Sequence, residues 1–265
     1  MAKKNIFTDA FGNLYFLKRL IIFALGIISY RRFNGFNKLI ISGSENLVAL
    51  PDANVLFVSN HQTYFADVAA MYQAFCAINN GYLNSIKNPI YLLNPKVDIY
   101  YVAAEETMNK GFMTKIFKLA GAVTVKRTWR AEGHDVNRMV DLTEVENIMK
   151  ALDNGWVITF PQGTTSAFAQ GRKGTAKLVK NQKPIVIPIK INGFRRAFDK
   201  QGLRVKVTGV KPTMEFKPPL DIDYENDDAR TIMDKIMVAI EQTEDFNVLH
   251  DYDEELKAQK SELKN

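Results

Sequence analysis

Short apolar runs alternate along this chain with longer segments whose apolar residues recur at spacings of three and four. Runs of four to seven apolar residues that end in Gly, Pro, Asn or Ser are typical of buried strands, and the longer spacing is typical of amphipathic helices. The pattern predicts strands at about residues 55–59, 99–103, 122–125, 156–160, 185–191, 203–208 and 213–216, and helices at about residues 67–78, 114–119, 141–152, 174–180 and 228–241.

Strands that alternate with helices favour an α/β fold, with a layered, mostly parallel central sheet flanked by helices. We expect this domain to occupy residues 46–242. An N-terminal helical segment at residues 1–45 precedes it. A charged tail at residues 243–265 follows, and we expect that tail to be partly disordered.

The N-terminal segment is apolar but short. Residues 20–30 carry no charge and lie between basic pairs at residues 18–19 and 31–32. A transmembrane helix needs about 20 apolar residues, so this segment is too short to span a bilayer. Basic pairs and aromatic residues around an amphipathic helix fit a membrane interface, where Lys and Arg meet lipid phosphates. The alternative is an N-terminal helix buried in the core.

We therefore expect residues 14–38 to bind an anionic membrane surface. The expected location is the cytoplasmic face of the cell's inner membrane, with the protein peripheral or monotopic.

Charge supports an anionic partner. The net charge is +6, and residues 241–265 hold eight acids against three lysines, which leaves +11 on the first 240 residues. Such a body favours nucleic acid, an anionic membrane or a phosphorylated ligand. The basic residues do not interleave with aromatics as a nucleic-acid platform requires, so we expect no nucleic-acid partner.

Several chemistries are disfavoured by what the sequence lacks. Cys76 is the single cysteine, which excludes a disulfide framework and a cysteine-based metal cluster. The three histidines lie far apart along the chain, so we expect no metal. The sequence contains neither a P-loop or dinucleotide-type glycine motif nor a G-x-S-x-G motif, and we expect no cofactor.

The strongest candidate for chemistry lies where the first core strand ends. Ser59 is followed by Asn60, His61 and, six residues after the histidine, Asp67. The carboxyl ends of strands are where α/β proteins place their functional residues. A nearby carboxylate can hold an imidazole in one tautomer. The alternative is that His61 lines a turn and Asp67 caps the next helix.

Three further segments place polar residues after apolar strands. Arg127 follows the strand at residues 122–125, a glycine-containing loop at residues 161–175 follows the strand at 156–160, and the strand at 185–191 carries a central proline. We expect these ends to converge with His61 in one cationic crevice. Backbone N–H groups there can bind an anion or a developing oxyanion. The loop residues that we single out are Gln162, Gly163, Thr164, Thr165, Arg172, Lys173 and Gly174.

The order of these segments resembles the glycerolipid acyltransferase family, which includes the 1-acylglycerol-3-phosphate acyltransferases, over about residues 50–192. The family's first motif is Asn-His followed by Asp, here Asn60, His61 and Asp67. Its second motif ends an apolar strand with Arg, here Arg127. The third is Phe-Pro-Glu-Gly-Thr-Arg-Ser, which reads Phe-Pro-Gln-Gly-Thr-Thr-Ser at residues 160–166. The fourth is an apolar strand with a central proline, here Pro188.

This resemblance implies transfer of a fatty acyl group from acyl-CoA or acyl carrier protein to the hydroxyl of a lysolipid. The default reaction converts 1-acylglycerol-3-phosphate to phosphatidate, in phospholipid biosynthesis and without a cofactor. His61 would be the general base and Asp67 would orient it. Arg127 would bind the anionic group of the acceptor, helped by Arg172 or Lys173. Asn60 and residues 162–165 would line the substrate site.

Two departures from the family pattern affect these expectations. Five residues separate His61 from Asp67 where the family has four, and one residue rotates a helical position by about 100°. The pair can meet only if residues 62–66 form a looser turn. Gln162 and Thr165 replace the family's Glu and Arg, which removes a bidentate phosphate clamp.

The acceptor is therefore either the default lysophosphatidate, with Arg172 supplying the missing guanidinium, or a non-phosphate lysolipid such as a lyso-aminolipid. The alternative from another class is a catalytically inactive relative that binds lipid at the membrane.

Overall fold

A computed structural model describes residues 6–108, 112–126, 130–131, 134–135 and 141–249. The strands in this part of the chain are β1 Ile40–Ser42, β2 Val55–Ser59, β3 Ile99–Ala104, β4 Ala122–Val125, β5 Arg130–Ala131, β6 His134–Asp135, β7 Trp156–Thr159, β8 Ile185–Asn192 and β9 Thr213–Phe216. The helices are α1 Tyr15–Arg31, α2 Ala66–Asn79, α3 Glu105–Met108, α4 Phe112–Ala120, α5 Leu142–Asn154, α6 Lys173–Gln182, α7 Phe194–Ala197, α8 Ala229–Ala239 and α9 Glu244–Leu249.

A seven-stranded sheet forms the centre of the described structure, in the order β1-β9-β8-β2-β7-β3-β4. The neighbouring strands pair in parallel, except that β8 and β9 run antiparallel. Helices cover both faces. The expected α/β class and the mostly parallel sheet are therefore confirmed.

Strand β2 shows why the fold needs helices on both faces. Val55 and Phe57 point into a core shared with α1 and α2, whereas Leu56 and Val58 point into a core shared with α5, α6 and α8. Successive strand residues face opposite sides, so a strand that is apolar at every position must be buried on both. The apolar run at residues 55–58 predicts this central position.

Most predicted elements lie within two residues of the observed ones, but residues 203–208 do not form the predicted strand. A single bridge between Phe198 and Val205 closes a turn there. The Asp199 carboxylate accepts hydrogen bonds from the N–H groups of Leu203 and Arg204, at 2.9 and 3.1 Å. Local hydrogen bonds to an Asp side chain compete with a strand ladder, and here they hold the chain in a turn.

The segments on either side of the expected domain also carry regular structure. Strand β1 lies within residues 1–45 and pairs with β9 at the edge of the sheet. Helix α9 lies within residues 243–265, of which residues 250–265 are outside the described part.

Helix α1 packs against α2, α4 and a 3-10 turn at Pro89–Leu93. Its inward face includes Lys18, which is fully buried; the ammonium lies 3.2 Å from the Asp9 carboxylate and 4.2 Å from the centre of the Tyr100 ring. The expectation that Lys18 meets lipid phosphates is therefore wrong. None of the described helices has both the length and the apolar character needed to cross a membrane.

The outward face of α1 is apolar and exposed, and we call it the α1 stripe. It consists of Phe16, Leu17, Leu20, Phe23, Ile27 and Ile28. These residues recur at helical spacing, so they form one continuous face. Arg19 and Arg31 are exposed on the same helix.

Candidate active site

The carboxyl ends of β2, β7 and β8 lie side by side, because β2 pairs in parallel with both neighbours. His61 follows β2, Phe160 follows β7 and α7 follows β8. The His61 ring stacks on the Phe160 ring, with centroids 3.8 Å apart and an interplanar angle of 19°. Three of the four predicted segments therefore converge at one edge of the sheet.

His61 and Asp67 are in contact. The imidazole Nδ1 lies 2.9 Å from Asp67 Oδ2. The same carboxylate accepts from the backbone N–H groups of Gln62 at 2.6 Å and Thr63 at 3.0 Å, and its Oδ1 accepts from the Thr63 hydroxyl at 2.7 Å. Asp67 is completely buried, whereas the His61 side chain is 12 % exposed. The carboxylate is thus fixed inside and the imidazole reaches the surface.

The extra residue between His61 and Asp67 is absorbed before the helix begins. Residues 62–65 are non-helical, and α2 starts at Ala66, so Asp67 lies in the first helical turn. Its carboxylate turns back to the N–H groups of the loop that precedes it. The predicted looser turn is confirmed.

A second loop supports this turn from outside. The N–H groups of Tyr64 and Phe65 donate to the carbonyls of Lys200 and Gln201, at 3.1 and 2.9 Å. Gly202 follows with φ of +76°, and a Cβ at this position would lie 2.4 Å from the Ala66 nitrogen. Only glycine permits this approach. We call the two joined loops, residues 62–65 and 199–203, the partition.

The contacts of Asp67 determine which imidazole nitrogen faces outward. A carboxylate accepts hydrogen bonds and cannot donate them, and three groups of Gln62 and Thr63 already donate to Asp67. Nδ1 therefore carries the proton in this contact and Nε2 presents a lone pair. This tautomer suits a general base, because the nitrogen on the exposed side is the one that can accept a proton.

Asn60 and Gln62 tie the turn to the end of β8. The Asn60 side chain donates to the Ile191 carbonyl and accepts from the Ile191 N–H, both at 2.8 Å. The Gln62 side-chain carbonyl accepts from the Phe194 N–H at 2.8 Å, at the start of α7. The Asn60 amide thus makes two backbone hydrogen bonds, and its contact with a substrate stays a prediction.

Gln162 is 1 % exposed and its side chain points inward. Its amide nitrogen lies 2.9 Å from the Ala169 carbonyl and 3.2 Å from Gln242 Oε1. The same atom of Gln242 accepts from the Phe168 N–H at 3.0 Å, so it must be the amide oxygen rather than the amide nitrogen. Gln162 must therefore be the donor in its contact with Gln242. An ionised Glu could not donate here, which gives a physical reason for Gln where the family has Glu. The substrate-binding role of Gln162 stays a prediction.

Residues 163–165 form a tight turn. Gly163 has φ of +64°, and its N–H donates to the Phe160 carbonyl at 2.9 Å, so this turn already uses the group that we considered for an oxyanion. The Thr164 hydroxyl accepts from the Ser166 N–H at 3.2 Å. The Thr165 carbonyl accepts from the Arg195 guanidinium.

Arg172, Lys173 and Gly174 lie at the start of α6. The Arg172 N–H donates to the Pro161 carbonyl at 2.8 Å and closes the loop, whereas Lys173 and Gly174 are exposed. Their contact with substrate also stays a prediction.

Arg127 lies outside the described residues. The Lys126 N–H before it donates to both oxygens of Glu144, at 3.0 Å each, and burial raises the pKa of this carboxyl.

Arg195 was not among our candidates, although it joins two of the predicted segments. Its guanidinium donates to the carbonyls of His61, at 3.3 Å, and of Thr165. The signal in the sequence is the same one that identified the other segments, because Arg195 follows an apolar strand after Gly193. A guanidinium that binds two backbone carbonyls is fixed in position.

Two cavities lie against the partition. The first, which we call the apolar cavity, has a volume of about 200 Å³ and lies among α1, α2 and α4. Phe65 and Leu203 of the partition line it, together with Ile28, Tyr72 and Phe117.

The second, the cationic pocket, has a volume of about 590 Å³. Gln62, Thr63, Asp199 and Lys200 of the partition line it, with Thr165, Ser166, Arg195, Lys206 and Asn247. Arg172 and Lys173 line neither cavity. Within the described ranges, no three His, Cys, Asp or Glu side chains come together as metal ligands would.

Comparison with known proteins gives a family and a fold. The model of the Acyltransferase family matches residues 38–192. The crystal structure of the 1-acyl-sn-glycerophosphate (LPA) acyltransferase PlsC from Thermotoga maritima is similar, with a TM-score of 0.52 and 18 % sequence identity over 84 % of this chain and 76 % of that one. At this identity the likeness shows a shared fold. No curated protein matches the sequence.

Proposed function

The chain belongs to the Acyltransferase family, and we propose that it moves a fatty acyl group from a thioester to the hydroxyl of a lysolipid at a membrane surface. One observation carries the proposal. His61 and Asp67 form a hydrogen-bonded pair at the carboxyl edge of the sheet, with the exposed imidazole held by a buried, fully bonded carboxylate.

The reaction follows from this geometry. The lysolipid hydroxyl gives its proton to His61 Nε2 as its oxygen attacks the thioester carbonyl. Asp67 stabilises the imidazolium that forms. The tetrahedral intermediate then expels the thiolate, which takes the proton back from His61. The products are the acylated lipid and the free thiol, and the enzyme returns to its starting state without a covalent intermediate.

The apolar cavity suits the fatty acyl chain. Its walls are mainly aliphatic and aromatic, and they come from α1, α2 and α4. Phe65, which lies four residues after His61, is part of the lining of this cavity. An acyl chain in this cavity would end close to the imidazole, where the thioester carbonyl has to be.

We take lysophosphatidate as the default acceptor, because the structurally similar PlsC protein is named for that substrate. Either acyl-CoA or acyl carrier protein fits the donor role. Thr165 supports a second candidate, a lyso-aminolipid, because it lacks the guanidinium that the family places at this position.

The α1 stripe supports the membrane part of the proposal. Monomeric soluble proteins rarely expose a continuous apolar face of this kind. Exposed Arg19 and Arg31 lie on the same helix and would meet anionic lipid head groups. We therefore propose that residues 14–38 bind the cytoplasmic surface of the membrane, with phospholipid biosynthesis as the setting.

The test is acyl transfer by the purified full chain on vesicles that contain anionic lipid. A labelled acyl donor is supplied as acyl-CoA and as acyl carrier protein, with lysophosphatidate, glycerol 3-phosphate and a lyso-aminolipid as acceptors. We expect transfer to one lysolipid, and a loss of about 10² to 10⁴-fold in kcat for His61→Ala.

His61→Ala should bind vesicles as the wild type does, because His61 is not part of the α1 stripe, and an unfolding measurement must show that the variant is folded. Transfer that survives His61→Ala removes His61 from the mechanism. Absence of transfer to every acceptor by the wild type overturns the proposed function.

A further inference from the structure

The cationic pocket adjoins the same turn as the apolar cavity but has the opposite character. Among the described residues, three cations, Arg195, Lys200 and Lys206, line it together with one carboxylate, Asp199. The Asp199 carboxylate accepts two backbone hydrogen bonds within its own turn. The described part of the lining therefore carries a net charge of +2, and a positive concave surface raises the local concentration of anions.

Arg195 places a guanidinium beside residue 165. Its Nη2 donates to the Thr165 carbonyl, so the guanidinium lies beside the backbone of the loop that follows β7. The same nitrogen donates to the His61 carbonyl at 3.3 Å. Arg195 of α7 thus bridges the loop after β2 and the loop after β7 and holds a positive charge at the pocket.

Two lysines extend the positive charge away from Arg195. The Lys206 ammonium donates to the Arg195 carbonyl at 3.0 Å, which holds it at the pocket. Lys200 is exposed and belongs to the partition. An ammonium has three N–H groups, so Lys206 retains donors for an anion after this backbone contact.

We propose that the cationic pocket binds the anionic oxyacid group, a phosphate or a carboxylate, of the acceptor lysolipid through Arg195, Lys200 and Lys206. This inference rests on the proposed function. It makes the pocket the part of the site that selects the acceptor.

The position of Arg195 favours the acceptor over the donor as the source of the anion. An anion bound to Arg195 would lie next to His61, because the guanidinium donates to the backbone carbonyl of His61. In a lysolipid the reacting hydroxyl and the anionic group are separated by a few bonds. In acyl-CoA or acyl carrier protein the whole pantetheine arm separates the thioester from the nearest phosphate.

Lysine variants test the pocket by kinetics. Lys206→Gln should raise the KM of an anionic acceptor about fivefold, and Lys206→Gln with Lys200→Gln about 20-fold, because charge-assisted hydrogen bonds are lost. The effect should shrink as salt is added. Transfer to neutral monoacylglycerol, and the KM of the donor, should stay at wild-type values. Lys211→Gln is the matched control, since Lys211 is exposed and lines neither cavity.

Two versions of the acyl donor show whether the anion in the pocket belongs to the acceptor or to the donor. Acyl-CoA is compared with an acyl-pantetheine that carries no phosphate. A change in donor KM that appears with acyl-CoA and vanishes with acyl-pantetheine would overturn the assignment to the acceptor. An unchanged acceptor KM in the double variant would do the same.

A binding measurement keeps this inference separate from the catalytic one. Glycerol 3-phosphate is titrated into ¹⁵N-labelled His61→Ala protein, with glycerol as the neutral control. We expect chemical-shift changes at Arg195 and Lys206 that the double lysine variant abolishes. Unchanged shifts, or shifts that persist in that variant, would overturn the pocket even if the wild type is an active acyltransferase.

Discussion

The two cavities share the partition but are built from different parts of the fold. Helices α1, α2 and α4 supply most of the wall of the apolar cavity, whereas loops that follow strands supply most of the cationic pocket. Helices pack side chain against side chain and enclose apolar space. Loops at strand ends present backbone and polar side chains. The residues that follow His61 therefore border an apolar cavity on one side and a polar pocket on the other.

Asp67→Asn attacks the turn that both cavities share and should have the largest effect. Asn presents an NH₂ group to some of the four donors that surround Asp67, and it cannot stabilise an imidazolium by charge. We expect kcat to fall about 10² to 10⁴-fold, with a lower Tm. Activity assays and thermal unfolding measure the two effects. Wild-type kcat in a folded Asp67→Asn protein would contradict the role assigned to this carboxylate.

Gln162→Glu acts on the cationic pocket indirectly, through Gln242 and the Phe168 loop that lines it. An ionised carboxylate would face the Ala169 carbonyl and Gln242 Oε1, and the loop that carries Phe168 would shift. We expect kcat/KM about tenfold below wild type at pH 8, with recovery as the pH falls, because the protonated carboxyl can donate again.

The ratio of variant to wild-type activity against pH measures this effect. Gln170→Glu, at an exposed position in the same loop, is the control and should follow the wild-type profile. A ratio for Gln162→Glu that does not change with pH would contradict the donor role of Gln162.

Gly202→Ala strains the partition itself. Its Cβ would lie 2.4 Å from the Ala66 nitrogen, at a positive φ that disfavours side chains. We expect a loss of roughly 2–4 kcal/mol in the free energy of unfolding and a few-fold loss of activity with every acceptor.

Gly209→Ala is the matched control, since Gly209 also has φ of +76° but its Cβ would meet nothing within 4 Å. Equal destabilisation of the two variants would show that the contact with Ala66 contributes nothing. Chemical denaturation of both proteins makes the comparison.

The rate at which Cys76 is labelled tests whether the apolar cavity is apolar, and this test does not depend on enzyme activity. It lines the apolar cavity, and burial raises the pKa of its thiol to about 12. The thiolate is the reactive form, so a thiol reagent at pH 8 should label native Cys76 about 10³-fold more slowly than the unfolded chain. Ser166→Cys in a Cys76→Ser background places a thiol at the cationic pocket and should react as an exposed thiol does. Rapid labelling of native Cys76 would contradict the burial of this thiol.

The sequence predicts the sheet and the contact between His61 and Asp67 better than it predicts the surroundings of this pair. Apolar runs such as residues 55–58 identify buried strands, and the position of His61 after such a run identifies the edge of the sheet where His61 and Asp67 meet. The inward direction of Gln162 could not be predicted, because it depends on Gln242, 80 residues away. The partition likewise depends on backbone contacts between Tyr64 and Lys200. The sequence pattern of one segment cannot show which distant residues it contacts.

The buried Lys18 ammonium determines which face of α1 points outward. Its contacts with Asp9 and the Tyr100 ring hold α1 in one rotational orientation. Turning the helix about its axis would move the ammonium away from both partners while it is still buried. The α1 stripe is thereby locked in one direction relative to the sheet. Ile28 belongs to that stripe, at 57 % exposed, and also lines the apolar cavity. If the stripe binds a membrane as we propose, Ile28 would lead a lipid chain from the bilayer directly into the apolar cavity.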